Sequence, residues 1–169
     1  MATLWLIGMM GVGKSTVGPL VAERLGVPFV DLDDEVVEGV GRSIPEVFAT
    51  EGETGFRRRE STALTAVAGS AAVVSCGGGA VVLVENVERM RASGMVAWLE
   101  APAEVLEERV GGGGGRPMLA GDQVVGDLRR LTEARTAAYA AAAHHRVGTA
   151  GRTPEEVAAE VVRRWNERT

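Results

Sequence analysis

The chain reads as a three-layer α/β domain, a parallel sheet with helices on both faces. Three observations predict this. Short apolar runs at 3–7, 27–31, 71–76 and 95–99, with a candidate fifth strand at 146–149, alternate with stretches of helical periodicity, and such alternation builds parallel sheets through crossover helices. The run at 71–76 is apolar throughout, as suits a strand covered on both faces. Length and composition, 169 residues with 46% hydrophobic and 24% charged, supply one ordinary core in a single domain spanning 1–169.

The first strand runs directly into GMMGVGKST at 8–16, which fits G-x-x-x-x-G-K-[ST] with Gly8, Gly13, Lys14 and Ser15 in the fixed positions. Glycine opens backbone angles closed to other residues, so successive N–H groups can converge on phosphate oxygens at the positive end of the helix that follows. Lys14 reaches the outer phosphates and Ser15 offers a hydroxyl to magnesium. The chain has 18 Lys and Arg residues, and Lys14 is the only lysine among them. Arginine thus serves as the general surface cation. The exception falls where a flexible stem must curl a compact charge over phosphates, a task that suits the planar guanidinium poorly.

A helix over 16–25 places Val17, Leu20, Val21 and Leu25 on one face and ends at Gly26. Pro19 predicts a local distortion, since it lacks an N–H and its ring crowds the preceding turn. The second strand, 27–31, runs into Asp31, Asp33, Asp34 and Glu35. Acids at a strand's carboxyl end sit where open α/β sheets bind ligands; an acidic first helical turn is the plainer reading. The third apolar run ends in Ser75 and Cys76 with no acid, which leaves Asp31 the best-placed carboxylate to support magnesium, with Asp33 functional beside it.

Short helical pieces follow over 39–53, with Ser43 as a cap and Pro45 near the start. A helix then ends at Gly69. Of its Arg57, Arg58 and Arg59, a step of about 100° per residue lets one face a cleft while two are solvated. Glu60, three residues on, can hold Arg57 by an ion pair. The third strand leads to Gly77, Gly78 and Gly79, more glycine than a turn needs, which predicts a backbone bared for a ligand. Cys76 reads as a structural thiol.

A helix over 84–92, a strand over 95–99 and a helix opened by Pro102, carrying Arg109, come next. Five glycines at 111–115 argue for a mobile loop. It presents Arg116 and Pro117 before the apolar pair Met118 and Leu119, the pattern of a lid bringing a cation onto a transferring phosphoryl group. The longest helix, 122–143, has Arg135 and Tyr139 four apart. His144 and His145 adjoin one another, poor spacing for a metal pair, and receive no role. After a fifth strand, Arg152, Thr153 and Pro154 introduce a final amphipathic helix over 154–165.

A net charge of −5 carries no electrostatic footprint for nucleic acid or an anionic membrane. One cysteine rules out an internal disulfide, and the apolar N-terminal run is too short to span a bilayer, so a cytoplasmic enzyme is expected. The absence of a second lysine excludes guanine readers of the N-K-x-D type and V-A-I-K kinases.

Taken together, GMMGVGKST, VDLDDE, GETGFRRRE, SCGGGA, GRPML and Arg135 with Tyr139 resemble the shikimate kinase family over nearly the whole chain. The resemblance implies a nucleoside-monophosphate-kinase-like fold with strand order 2-3-1-4-5 and transfer of the ATP γ-phosphoryl group to the 3-hydroxyl of shikimate. It implies a P-loop at 8–16, a shikimate-binding part at about 31–60 and a lid at about 111–123. Gly11, Val12, Gly13, Lys14, Ser15 and Thr16 would contact ATP, with Arg109, Arg152 and Pro154 bordering the adenine. Ser15 and Asp31 would support Mg2+. Asp33 would hold the acceptor hydroxyls as the candidate base, Arg57 and Arg135 would clamp the carboxylate, and Gly77, Gly78 and Gly79 would line the acceptor. Lys14 and Arg116 would meet the transferring phosphoryl group. A monomer is expected. The competing readings are a gluconate-kinase-like sugar acid kinase and a nucleotide-binding regulator without catalysis.

Overall fold

A computed structural model describes residues 2–111 and 123–168. Five parallel strands form one sheet in the order β2-β3-β1-β4-β5, with helices on both faces. The order along the chain is β1 (Thr3–Ile7), α1 (Lys14–Leu25), β2 (Phe29–Asp31), α2 (Leu32–Val40), α3 (Ile44–Val67) and β3 (Val73–Ser75). A 3-10 turn (Ala80–Val82), α4 (Val84–Ser93), β4 (Gly94–Glu100), α5 (Ala103–Gly111), α6 (Gln123–Ala142), β5 (His145–Gly148) and α7 (Pro154–Glu167) follow. This is the predicted fold and strand order.

The central strand β1 is wholly buried, and Leu4, Trp5 and Leu6 anchor the core. Trp5 keeps its indole N–H satisfied by donating to Ser93 Oγ at 3.1 Å. Register sets the depth of the site: Ser75 pairs with Leu6 on one side and Asp31 on the other, so β1, β2 and β3 end level. The loops after all three strands therefore gather at the carboxyl edge, where ligands bind in such sheets.

Two local expectations need refinement. Helix α1 starts two residues earlier than predicted and runs unbroken through Pro19. Pro19 is exposed, so water can reach the carbonyl its ring leaves without a donor. Of the short helical pieces expected over 39–53, the first closes α2, and the stretch from Ile44 joins the following helix as two arms of one bent α3, broken at Gly52, whose φ of 67° is a left-handed value. Glu51 braces the elbow by accepting from Arg42 on one side and Arg59 on the other, at 2.6 and 3.2 Å. The Ser43–Glu46 capping box starts α3 as its sequence suggests.

Candidate active site

The donor half is the turn between β1 and α1. Gly13 caps α1 with φ of 104° and no side-chain bond, and Thr16 and Val17 both donate to its carbonyl. The N–H groups ahead of them have no helical acceptor and collect at the positive helix end, a standing anion site. Lys14 is buried and its stem curls back over the loop, with Nζ donating to Gly8 O at 2.7 Å and Met9 O at 3.0 Å. Ser15 and Thr16 are exposed on the first turn of α1.

Arg109 stands against this loop. Its Nη1 donates to the carbonyls of Gly11 and Val12 at 3.4 and 3.3 Å and to Thr149 Oγ1 at 3.1 Å, while Nη2 donates to Thr149 O at 3.3 Å. Arg152 is fastened to Gly148 O and Glu156 O, both at 3.0 Å, and Pro154 opens α7 behind a Thr153–Glu156 capping box. Of these three residues, Arg109 alone bonds to the loop, while Arg152 and Pro154 are held at the turn between β5 and α7. Arg116 and the rest of the expected lid from 112 to 122 lie outside the described residues.

The second group of expected site residues is built around the glycines after β3. None of the three has positive φ, so backbone angle does not explain them. Close approach does. A Cβ on Gly77 would fall 2.6 Å from Glu60 Oε1 and 3.4 Å from Asp33 Oδ1. One on Gly78 would fall 3.2 Å from Arg135 Nη1 and 3.5 Å from Tyr139 OH, and one on Gly79 would overlap the Arg57 guanidinium. Side chains from α2, α3 and α6 therefore press onto one bare turn, and these glycines make room for the protein's own side chains.

Arg57 is mostly buried and pairs with Glu60 at 2.9 Å, while Arg58 and Arg59 are exposed, as helical spacing predicts. Glu60 is fully buried; burial pushes its carboxyl up, and Arg57 opposes that shift. Tyr139 donates to Gly78 O at 2.5 Å, with Met9 Sδ at 3.5 Å from its oxygen. Burial pushes its phenol up to about 12, so it remains a neutral donor. Asp33 sits in the first turn of α2, its N–H donating to Asp31 Oδ1 at 3.0 Å. Asp31 is thus an N-cap as well as the strand-end acid, and the acidic first helical turn is observed. Burial also raises the Cys76 thiol, which lies 3.9 Å from Met90 Sδ in the core, as suits a structural thiol.

Sequence reasoning left Tyr139 and Thr149 without roles. The four-residue step from Arg135 put Tyr139 on the same helical face, a signal available in advance. Thr149 left none, because its partner Arg109 is 40 residues away.

A phosphate loop beside a glycine turn that Asp33, Arg57 and Arg135 approach marks a small-molecule kinase of the P-loop class. Comparison with known proteins narrows this. A family model described as shikimate kinase matches residues 10–166. A shikimate kinase of Symbiobacterium thermophilum is 48% identical over 96% of this chain and 95% of its own length. Another, from Persephonella marina, is 39% identical over 97% and 99%. The structure of a shikimate kinase from Acinetobacter baumannii in complex with shikimate superposes with a TM-score of 0.92 at 33% identity, covering 100% of this chain and 95% of that one. The chain belongs to the shikimate kinase family. A gluconokinase from Sinorhizobium meliloti, at 19% identity and a TM-score of 0.65, shares the fold alone.

Proposed function

We propose that this protein transfers the γ-phosphoryl group of ATP to the 3-hydroxyl of shikimate, yielding shikimate 3-phosphate and ADP. The observation that carries the acceptor side is the convergence of Asp33, Arg57 and Arg135 on one glycine turn beside the phosphate loop. Two guanidiniums suit a planar carboxylate, which each can grip through paired N–H groups. Asp33 accepts the hydrogen of the attacking hydroxyl and takes its proton as the new O–P bond forms and the bond to the ADP oxygen breaks. A loose phosphoryl-transfer transition state depends mainly on positioning and charge, which Lys14 supplies from the loop and Arg116 from the lid. In this reading Gly11 to Thr16 cradle the phosphates, with Arg109, Arg152 and Pro154 at the nucleotide's base.

The residues present fit a divalent ion, taken as Mg2+. Among the described residues no three His, Cys, Asp or Glu side chains form a metal cage. Ser15 on α1 and Asp31 at the end of β2 fit an ion that keeps its waters and phosphate oxygens, as magnesium does. Such an ion neutralises charge on the phosphates. No helix among the described residues is long and apolar enough to cross a membrane; we place the enzyme in the cytoplasm as a monomer.

The test is ADP release with Mg-ATP and, in turn, shikimate, gluconate or AMP. Release that depends on shikimate alone is expected. Gluconate-dependent release would instead make the protein a sugar acid kinase, and no turnover with any acceptor would make it a nucleotide-binding regulator.

A further inference from the structure

We propose that Arg109 positions the phosphate loop, holding the Gly11 and Val12 carbonyls away from the cradle so that the following N–H groups face the phosphates. The inference rests on reading residues 8–16 as the donor site, and it gives Arg109 a task separate from bordering the nucleotide's base.

The geometry is that of a clamp between two parts of the fold. Nη1 of the guanidinium serves both loop carbonyls together with the hydroxyl of Thr149, and Nη2 takes the Thr149 carbonyl. Thr149 is a firm anchor: it is buried, and its N–H donates to Glu100 O at the end of β4 at 2.9 Å. The loop is thereby tied to the sheet through one side chain. In a trans peptide the C=O and the next N–H point in opposite directions. With the Gly11 and Val12 carbonyls turned to Arg109, the N–H groups of Val12 and Gly13 turn inward. The Val12 N–H points to the same side of the loop as the Lys14 ammonium, both donating to Met9 O, at 3.3 and 3.0 Å.

A second feature comes from the neighbouring residue. A Cβ on Gly11 would fall 2.7 Å from Val110 Cγ2. The last turn of α5 therefore meets the loop by shape as well as by hydrogen bonds. A glycine-rich loop has much freedom to lose on binding, and holding it in its binding form beforehand removes part of that cost. Arginine suits the task because its fork of five donors can serve several oxygens at fixed angles, which a lysine ammonium on a flexible stem does not.

The test uses a ligand with phosphates and no base. Mg-tripolyphosphate and Mg-ADP are titrated calorimetrically into the full chain and into Arg109→Ala, Arg109→Lys and Thr149→Val, with thermal melts to verify folding. Arg109→Ala and Arg109→Lys should each weaken tripolyphosphate about tenfold, and Thr149→Val about threefold, a loss of about 0.7 to 1.4 kcal/mol. Shikimate affinity should hold in all three. Unchanged tripolyphosphate affinity with weakened ADP would overturn the proposal, leaving Arg109 a contact to the base. Full recovery in Arg109→Lys would also overturn it, reducing the residue to a charge. If Arg109→Ala does not fold, the lysine and Thr149→Val arms decide. A parent protein that binds neither probe removes the donor-site reading itself, and the role of Arg109 with it.

Discussion

Tyr139 illustrates how a single side chain can shape a site it does not fill. Its hydroxyl holds the Gly78 carbonyl, and its neighbour one turn away is Arg135. Tyr139→Phe leaves that carbonyl without its donor while keeping the ring and its stacking on Trp98. Shikimate binding should weaken about tenfold, the scale of one lost buried hydrogen bond, while Mg-ADP binding stays unchanged. Calorimetry on both ligands checks the split. Arg135→Lys replaces a fork with a point charge and should also act chiefly on shikimate; a dissociation constant that does not move would take Arg135 out of the site. The side chains of the candidate site were largely legible in the sequence, because helical spacing alone separated Arg57 from Arg58 and Arg59. The reason for the glycine triplet was not legible. The groups that crowd it come from Arg57, Glu60 and Arg135, remote along the chain, and only the fold brings them to one turn.

Among the elements, strands and helices followed from periodicity, whereas their ends followed from contacts the periodicity does not encode. The entry to β5 is the clearest case. His144 precedes the strand, and it pairs with β4 twice: its N–H donates to Val96 O at 2.8 Å, and its ring Nδ1 accepts from the Val96 N–H at 3.0 Å. The imidazole must therefore be unprotonated at Nδ1. Burial, with Arg91 on α4 and His145 on β5 adding like charge, holds its pKa below the usual value of 6.5. A lowered folded pKa means that the unfolded chain binds the proton first as pH falls. The stabilisation from His144 is complete above pH 6.5 and is lost as pH drops through the folded value. His144→Leu should therefore be less stable by about 1 kcal/mol at pH 8, with the gap from the parent closing on acidification. Denaturant melts at several pH values measure this, and a gap independent of pH would exclude the mechanism.

Across the whole molecule, the fold places two half-sites at the level ends of three strands. The donor half hangs from β1 and is tied to the far side of the sheet through Arg109 and Thr149. The proposed acceptor half takes Asp33 from α2, Arg57 from the second arm of α3, and Arg135 from α6. Fold class and strand order were readable because a P-loop and a resemblance over nearly the full chain left few topologies. The donor half needed only nine contiguous residues, while the acceptor half depends on helices that no local stretch specifies. The central claim is phosphoryl transfer between these halves onto one hydroxyl. The most direct measurement is phosphorus–proton correlation NMR of the product formed from Mg-ATP and shikimate, with ADP quantified alongside. A single phosphate ester on the 3-hydroxyl, one per ADP, is the expected result. An ester on another hydroxyl, or ADP formed at the same rate without shikimate, would contradict it.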